Sequence, residues 1–222
     1  VQCGLLDQIS SLFGREQSLV HTDFRSLEVQ PVPLPAGHVF LLCNTKVKHS
    51  LVDSAYNERR AACEAAAKHF AEKLDHPVTA LRDVSPAEFE AHRGGLDEVT
   101  ARRARHVVGE NDRVARGLAA LSSGDAQAFG GLMFESHDSS RHNFENSCAE
   151  LDAVVERAAE LPGVLGARLS GGGFGGSAVV LVKEENAEAV GRGLDRHYRD
   201  TFGNIPEVRL AVPSRGAHLL SL

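Results

Sequence analysis

Gly171-Gly172-Gly173-Phe174-Gly175-Gly176 places five glycines in six residues. The run sits between two apolar stretches, Val164-Leu165-Gly166-Ala167-Arg168-Leu169 and Ala178-Val179-Val180-Leu181-Val182. Glycine loses more backbone entropy on folding than any other residue, so a folded chain keeps such a run where the backbone turns with positive φ or approaches something closely. Bare N–H groups in a loop of this kind can point at an anion such as a phosphate. A plain hairpin turn is the simpler use of the same residues. The run also fits G-x-G-x-x-G through Gly171, Gly173 and Gly176, but the dinucleotide-binding fingerprint runs strand, glycines, helix. Here Ser177-Ala178-Val179-Val180-Leu181-Val182 follows, short and β-branched, and predicts a strand. The unit reads as a β-hairpin with a wide tip.

Upstream of the hairpin, Ser147-Cys148-Ala149-Glu150 has the pattern of a capping box and opens a helix that Pro162-Gly163 closes. Helices are predicted over 98–122 and 125–139. The first turns Ala104, Val107, Val108, Val114, Leu118 and Leu121 inward, with Gly124 after it. Ser85-Pro86-Ala87-Glu88 is a second capping box with proline at its first helical position. Asp53 or Ser54 caps a helix striped by Tyr56, Cys63, Ala67, Phe70 and Leu74. Val39-Phe40-Leu41-Leu42-Cys43 is a buried-type strand, and Pro31, Pro33, Pro35 and Gly37 before it mark a boundary. Residues 18–30 read as strand, turn, strand. Leu5, Leu6, Ile9, Leu12 and Phe13 share one face of a helix ending at Gly14. Downstream, a helix over 185–201 stops at Gly203, and short strands near 206–212 and 217–222 close the chain. Helices followed by ββαββ give an α+β class.

The chain has 222 residues and a net charge of −6, with 24 basic against 30 acidic residues. That balance leaves no basic footprint for nucleic acid. No run reaches the roughly 18 apolar residues of a membrane span, and no signal peptide is visible. Cys3, Cys43, Cys63 and Cys148 are scattered without a C-x-x-C, which predicts free thiols in a reducing compartment and a cytoplasmic protein. The chain opens on Val1 and its methionine is Met133, so a segment upstream is expected.

With these segments placed, the chain resembles the galactokinase family of the GHMP small-molecule kinases. Cys3-Gly4-Leu5-Leu6-Asp7-Gln8 is similar to the family's C-G-I-M-D-Q, and Asp23-Phe24-Arg25-Ser26-Leu27-Glu28 to its D-C-R-S-L-E. His49-Ser50-Leu51 and Tyr56-Asn57-Glu58-Arg59-Arg60 match H-S-L and Y-x-x-R-R. Arg103-Ala104-Arg105-His106-Val107-Val108-Gly109-Glu110 matches R-A-x-H-V-x-x-E, and Glu135-Ser136-His137 matches E-S-H. Gly166-Ala167-Arg168-Leu169-Ser170 with the glycines resembles the superfamily's third motif. The family's opening sugar-binding motif, G-R-x-N-L-I-G-E-H-x-D-Y-N, and its phosphate-loop motif, G-x-G-L-S-S-S-A, do not occur. The chain therefore resembles the C-terminal two-thirds of the enzyme. The resemblance implies that residues 1–37 are the tail of a ribosomal-protein-S5-like N-terminal lobe. Residues 38–222 would be the C-terminal lobe, a ferredoxin-like sheet with helices. The N-terminal lobe would then be the structural partner, without which Leu5, Ile9 and Leu12 stay uncovered and the isolated chain associates.

The reaction the resemblance implies is transfer of the γ-phosphoryl group of ATP to the C1 hydroxyl of galactose. A sugar hydroxyl is a poor nucleophile, so positioning, charge neutralisation and acceptance of one proton carry the catalysis. Asp7 resembles the proton acceptor. Read alone, it is also a helix-surface or cap aspartate. Gly4 resembles the glycine whose backbone lies against the sugar, or simply enters a helix. Tyr56 resembles the tyrosine that bonds a galactose hydroxyl, or belongs to a core stripe. Gly171, Gly172, Gly173 and Gly175 are implied at the nucleotide, with Gly172 and Gly173 also near the sugar. Ser170 and Ser177 can donate to phosphate or merely end strands. Mg²⁺ is implied through ATP, held mainly by phosphates and waters. The spacing of Glu135, His137, Asp138 and His142 does not place three ligands on one helix face. Arg102–Arg105 reads as a solvated helix face. Other readings are a kinase for N-acetylgalactosamine or arabinose, a non-catalytic sugar and ATP sensor, and an inactive remnant.

Overall fold

The computed structural model describes residues 4–48 and 52–219. Cys3, His49, Ser50 and Leu51 of the matched segments, and Leu220–Leu222 of the expected last strand, lie outside that range. A four-stranded sheet organises the rest. It is built from β3 (His38–Lys48), β4 (Val164–Ser170), β5 (Gly175–Lys183) and β6 (Glu207–Ala211), in the order β4-β5-β3-β6. All three strand pairs are antiparallel. The chain runs from β3 through the helices to β4, turns back as β5, and returns through one helix to β6. That is the split βαββαβ wiring expected of a ferredoxin-like lobe.

Each face of the sheet is covered, and the strand period of two sorts the residues between them. Ala178, Val180 and Val182 of β5 join Val39, Leu41 and Cys43 of β3 on one face. Against them pack Leu151, Val154, Val155 and Ala158 of α6 (Ala149–Glu160) and Val190, Leu194 and Tyr198 of α7 (Ala187–Phe202). The alternate residues Val179 and Leu181, with Leu165, meet Met133 of α5 (Ala126–Ser139) and Leu121 of α4 (Glu98–Ser122). Glycine at two positions lets α5 rest directly on β4. A Cβ at Gly130 would lie 2.3 Å from the Leu165 carbonyl oxygen, and one at Gly166 would lie 2.1 Å from that of Gly130.

A second cluster joins Ala66 and Phe70 of α2 (Val52–Ala71), Leu81, Phe89 of α3 (Pro86–His92), and Ala104 and Val108 of α4. The Ser85 capping box forms as the pattern predicts, with Oγ accepting from the Glu88 N–H and the Glu88 carboxylate accepting from the Ser85 N–H. β1 (Ser18–Asp23) and β2 (Glu28–Pro33) form a separate antiparallel ribbon. Val32 and Leu34 reach into the cluster under the large sheet, and Arg25–Asp83 and Arg82–Asp23 ion pairs of 2.6 and 2.7 Å tie the ribbon's turn to the 3₁₀ turn before α3. α1 (Leu6–Phe13) buries Ile9 and leaves Leu5, Leu6, Leu12 and Phe13 exposed. Its last turn is held by the C-terminal tail, where the Ala217 N–H donates to the Ser11 carbonyl and the Gly216 N–H to that of Gly14, both at 2.8 Å.

Several expectations differ from the structure. Pro31 and Pro33 lie within β2, opposite Val20 and Ser18, rather than in a linker. A two-stranded ribbon leaves one edge of each strand unpaired, and there a missing N–H costs little. The helix at 149–160 is capped at Cys148 without a side-chain bond, because the Ser147 hydroxyl is spent on Asp152. Val114 is 52% exposed. Arg103 is not on a solvated face: it is 3% exposed. α2 ends at Ala71, so Leu74 packs from the turn beyond it. No strand forms over 212–219.

Candidate active site

The glycine run is the tip of the β4–β5 hairpin, closed by the facing pair Ser170 and Ser177. Gly171, Gly173, Gly175 and Gly176 have φ of 77, 81, 119 and 80°, and Phe174 between them has 59°. These conformations are open to glycine and strained for most residues. The glycines divide by what surrounds them. At Gly171, Gly172 and Gly176 a Cβ would meet nothing within 4 Å, so the outer face of the tip is bare backbone. At Gly173 a Cβ would lie 1.9 Å from the Asn146 carbonyl oxygen. Gly173 is therefore required by the protein itself, whereas the other three leave room for a ligand.

Three contacts hold this tip from behind. The Phe174 N–H donates to the Asn146 carbonyl at 2.7 Å. The Asn146 Nδ2 donates to the Gly172 carbonyl at 3.1 Å. Thr45, buried in β3, donates its hydroxyl to the Gly176 carbonyl at 2.7 Å. Thr45 stands where the β3–β5 register shifts between Asn44 and Lys48 and where Lys46 adopts φ of 59°. Such bulges re-aim residues beside functional sites.

The Asn146 N–H bonds the Ser140 carbonyl at 3.1 Å, and the turn leading into Asn146 is held by two arginines. α5 ends in a π-helical turn over Ser140–Phe144, followed by Glu145 in the left-handed region at φ of 53°. Arg59 of α2 donates from Nε to the Phe144 carbonyl at 3.1 Å and from Nη2 to the Glu145 carbonyl at 3.0 Å. Its guanidinium lies 5.4 Å from the centre of the Phe174 ring. Arg103 of α4 donates to the Asn143 carbonyl and to the Glu145 carboxylate. The Arg103 guanidinium holds that carboxyl below its ordinary range against a smaller opposing effect of burial.

The matched segments at 103–110 and 135–137 contribute to a buried polar lattice beneath the hairpin. His137 accepts the Leu169 N–H of β4 at Nδ1 (3.1 Å), so Nε2 carries the proton and donates to Asp152 at 3.1 Å. Burial would raise the Asp152 pKa, but His137, Ser147 and Arg141 more than offset it and hold the carboxyl low. Ser136 donates to Glu110 at 2.8 Å. Burial would raise that carboxyl too, and Arg168, Arg113 and Ser136 outweigh it. His106 bonds Ser139 through Nδ1 at 3.0 Å and stacks on Phe144 at 4.6 Å.

Asp7 lies in the first turn of α1 with its side chain exposed, and Gly4 precedes that helix with open space around it. Tyr56 is 39% exposed on α2, one turn before Arg59, rather than a core residue. Tyr56 shares α2 with Arg59, whose guanidinium reaches the Phe174 ring of the tip, while hydrogen bonds tie the end of α1 to the tail. Ser170 is exposed and Ser177 half-buried, at the hairpin mouth. Asn146, Glu145 and Thr45 escaped the sequence reading. Their role depends on carbonyl direction and on a left-handed residue that no spacing announces. Among the described residues no group of three or more His, Cys, Asp or Glu side chains gathers as a metal cage, and no helix is long and apolar enough to cross a membrane.

The family model "GHMP kinases C terminal" matches residues 118–200, from α4 to α7. The galactokinase of Mannheimia succiniciproducens is 42% identical over 98% of this chain and 56% of its own length. The human galactokinase is 42% identical over 99% of this chain and 54% of its own. The crystal structure of Lactococcus lactis galactokinase complexed with galactose superposes with a TM-score of 0.91 at 34% identity, over 99% of this chain and 57% of that one. Residues 118–200 thus carry the C-terminal region of the GHMP kinases. The chain corresponds to the C-terminal part of the galactokinases within them and spans about half the length of the curated relatives it matches.

Proposed function

We propose that this chain is the C-terminal part of a galactokinase, a cytoplasmic enzyme that transfers the γ-phosphoryl group of ATP to the C1 hydroxyl of galactose. One observation carries the reading: nearly every described element superposes on a galactokinase holding galactose, at a TM-score of 0.91. In this reading residues 1–37 complete the N-terminal lobe and residues 38–222 form the C-terminal lobe. The exposed face of Leu5, Leu6, Leu12 and Phe13 packs against the rest of the N-terminal lobe. Asp7 accepts the proton of the C1 hydroxyl as its oxygen bonds the γ-phosphorus and the bond to the β-phosphate oxygen breaks, releasing ADP. Tyr56 bonds a sugar hydroxyl. The bare outer face at Gly171, Gly172 and Gly176 suits close approach of the phosphates. Mg²⁺ bound with ATP neutralises phosphate charge. Among the described residues no group of three or more His, Cys, Asp or Glu forms a cage for it, which suits an ion held mainly by phosphates and waters.

The test is galactose phosphorylation by the full-length protein that contains this chain. Asp7→Asn is expected to lower kcat by about 10²–10⁴-fold. The 222-residue chain alone is expected to leave galactose unphosphorylated. A full-length protein that ignores galactose, or an Asp7→Asn variant with wild-type kcat, refutes the reading. Preference for N-acetylgalactosamine or arabinose would move the assignment to another sugar kinase.

A further inference from the structure

We propose that Arg59, Arg103 and Glu145 form a positioning clamp that sets the shape of the glycine tip, an inference that rests on the galactokinase reading for its consequence in catalysis. The tip cannot hold its own shape. Four of its residues are glycines with positive φ, the residue type with the most backbone freedom to lose. Its order must come from neighbours, and the contacts lead to one place. Phe174 is fixed at both ends: its N–H bonds the Asn146 carbonyl and its ring lies under the Arg59 guanidinium. Asn146 follows Glu145, and Glu145 is gripped from two directions. Arg59 takes its carbonyl and Arg103 its carboxylate.

The same two cations bond the Asn143 and Phe144 carbonyls, which belong to the last turn of the α5 and π-helical segment. Carbonyls at a helix C-terminus lack intrahelical partners and carry the negative end of the dipole. Arginine suits such a place because its planar fork can serve several acceptors at once. One result is that Glu145 keeps a left-handed conformation that a non-glycine residue adopts only under constraint. That turn aims the Asn146 carbonyl at the loop. A displacement of the clamp therefore displaces the tip and leaves the sheet behind it unchanged.

The experiment uses the full-length protein and two variants, Arg59→Ala and Phe174→Leu. Hydrogen exchange is followed at residues 171–176 and, as a reference, at Val180 and Leu181. Steady-state kinetics are measured with ATP and galactose. Arg59→Ala is expected to speed loop exchange, Phe174 included, by about 10–100-fold while the reference amides keep their protection. The expected kinetic effect is a fall in kcat of about 10–100-fold with KM for ATP changing by less than about threefold, since misplacement affects the transition state most. Added guanidinium ion is expected to restore part of kcat. Phe174→Leu keeps every hydrogen bond of the clamp and removes the ring, so it gives a smaller shift in the same direction. Should Arg59→Ala fail to fold, Phe174→Leu decides. Unchanged loop exchange in a folded variant overturns the clamp. Altered loop exchange in a protein that phosphorylates no sugar upholds the clamp and overturns the galactokinase reading.

Discussion

Gly173→Ala is the substitution that most directly separates the two roles of the glycine run. The alanine Cβ would sit 1.9 Å from the Asn146 carbonyl oxygen, which is backbone and cannot swing aside. At φ of 81° an L-residue already costs about 1 kcal/mol. Relieving the clash requires the tip to shift, which gives up the Phe174 to Asn146 hydrogen bond, about 1 kcal/mol, and adds overpacking strain of about 1–3 kcal/mol. The expected loss is about 3–5 kcal/mol. Gly172→Ala has neither problem: its φ lies outside the left-handed region and a Cβ meets nothing within 4 Å. It is expected to be neutral or to stabilise by up to about 1 kcal/mol, through the unfolded chain. Gly171→Ala, with positive φ and open space, falls between them at a loss of about 1 kcal/mol. Urea unfolding at constant m-value gives the ranking. A Gly172→Ala loss equal to that of Gly173→Ala would refute the division. In the full-length protein, on the proposed galactokinase reading, an activity loss in Gly172→Ala without a stability loss would place substrate on the bare face.

Gly130→Ala drives a Cβ to 2.3 Å from the Leu165 carbonyl and lifts α5 from β4, so thermal unfolding is expected to reveal a loss of at least about 3 kcal/mol; a wild-type melting temperature would contradict it. Burial depresses the His106 pKa from 6.5 to about 4. The unfolded chain therefore binds a proton that the folded chain refuses, and stability falls as pH drops from about 6.5 toward 4, by about 3 kcal/mol at the limit. His106→Gln should flatten that limb of the stability curve, and an unchanged slope would count against the assignment. Burial pushes the Cys43 thiol up to about 12, so in the native protein it should resist a thiol reagent at pH 8 until the chain unfolds; labelling faster than global unfolding would disprove this.

The α+β class, the hairpin around the glycine run and most helices were legible because their signals are local. The Ser85 capping box, the alternation of Val179 and Val180, and the stop at Gly203 each act over a few residues. The glycine run stands out in the sequence itself, Asp7 and Tyr56 were singled out through resemblance, and the structure adds where each of them stands. The errors share one cause. Val114 and Arg103 lie on one helix whose period fits both, and only the neighbours decide which faces inward: α4 turns Arg103 toward the end of the π-helical turn, where carbonyls and a carboxylate receive it. Ser147 has the pattern of a cap, but Asp152 competes for its hydroxyl.

By itself, then, the sequence determined the strands, the helices and the permissive glycine backbone of the tip, since propensity and capping depend on adjacent residues. Tertiary structure decided which of those glycines are filled by protein and which are left open. That depends on a carbonyl from Asn146, 27 residues before Gly173 in the chain and brought to it by the packing of α5 and α6 against the sheet. Close approach of two backbones is a property of the folded arrangement, and no local pattern encodes it.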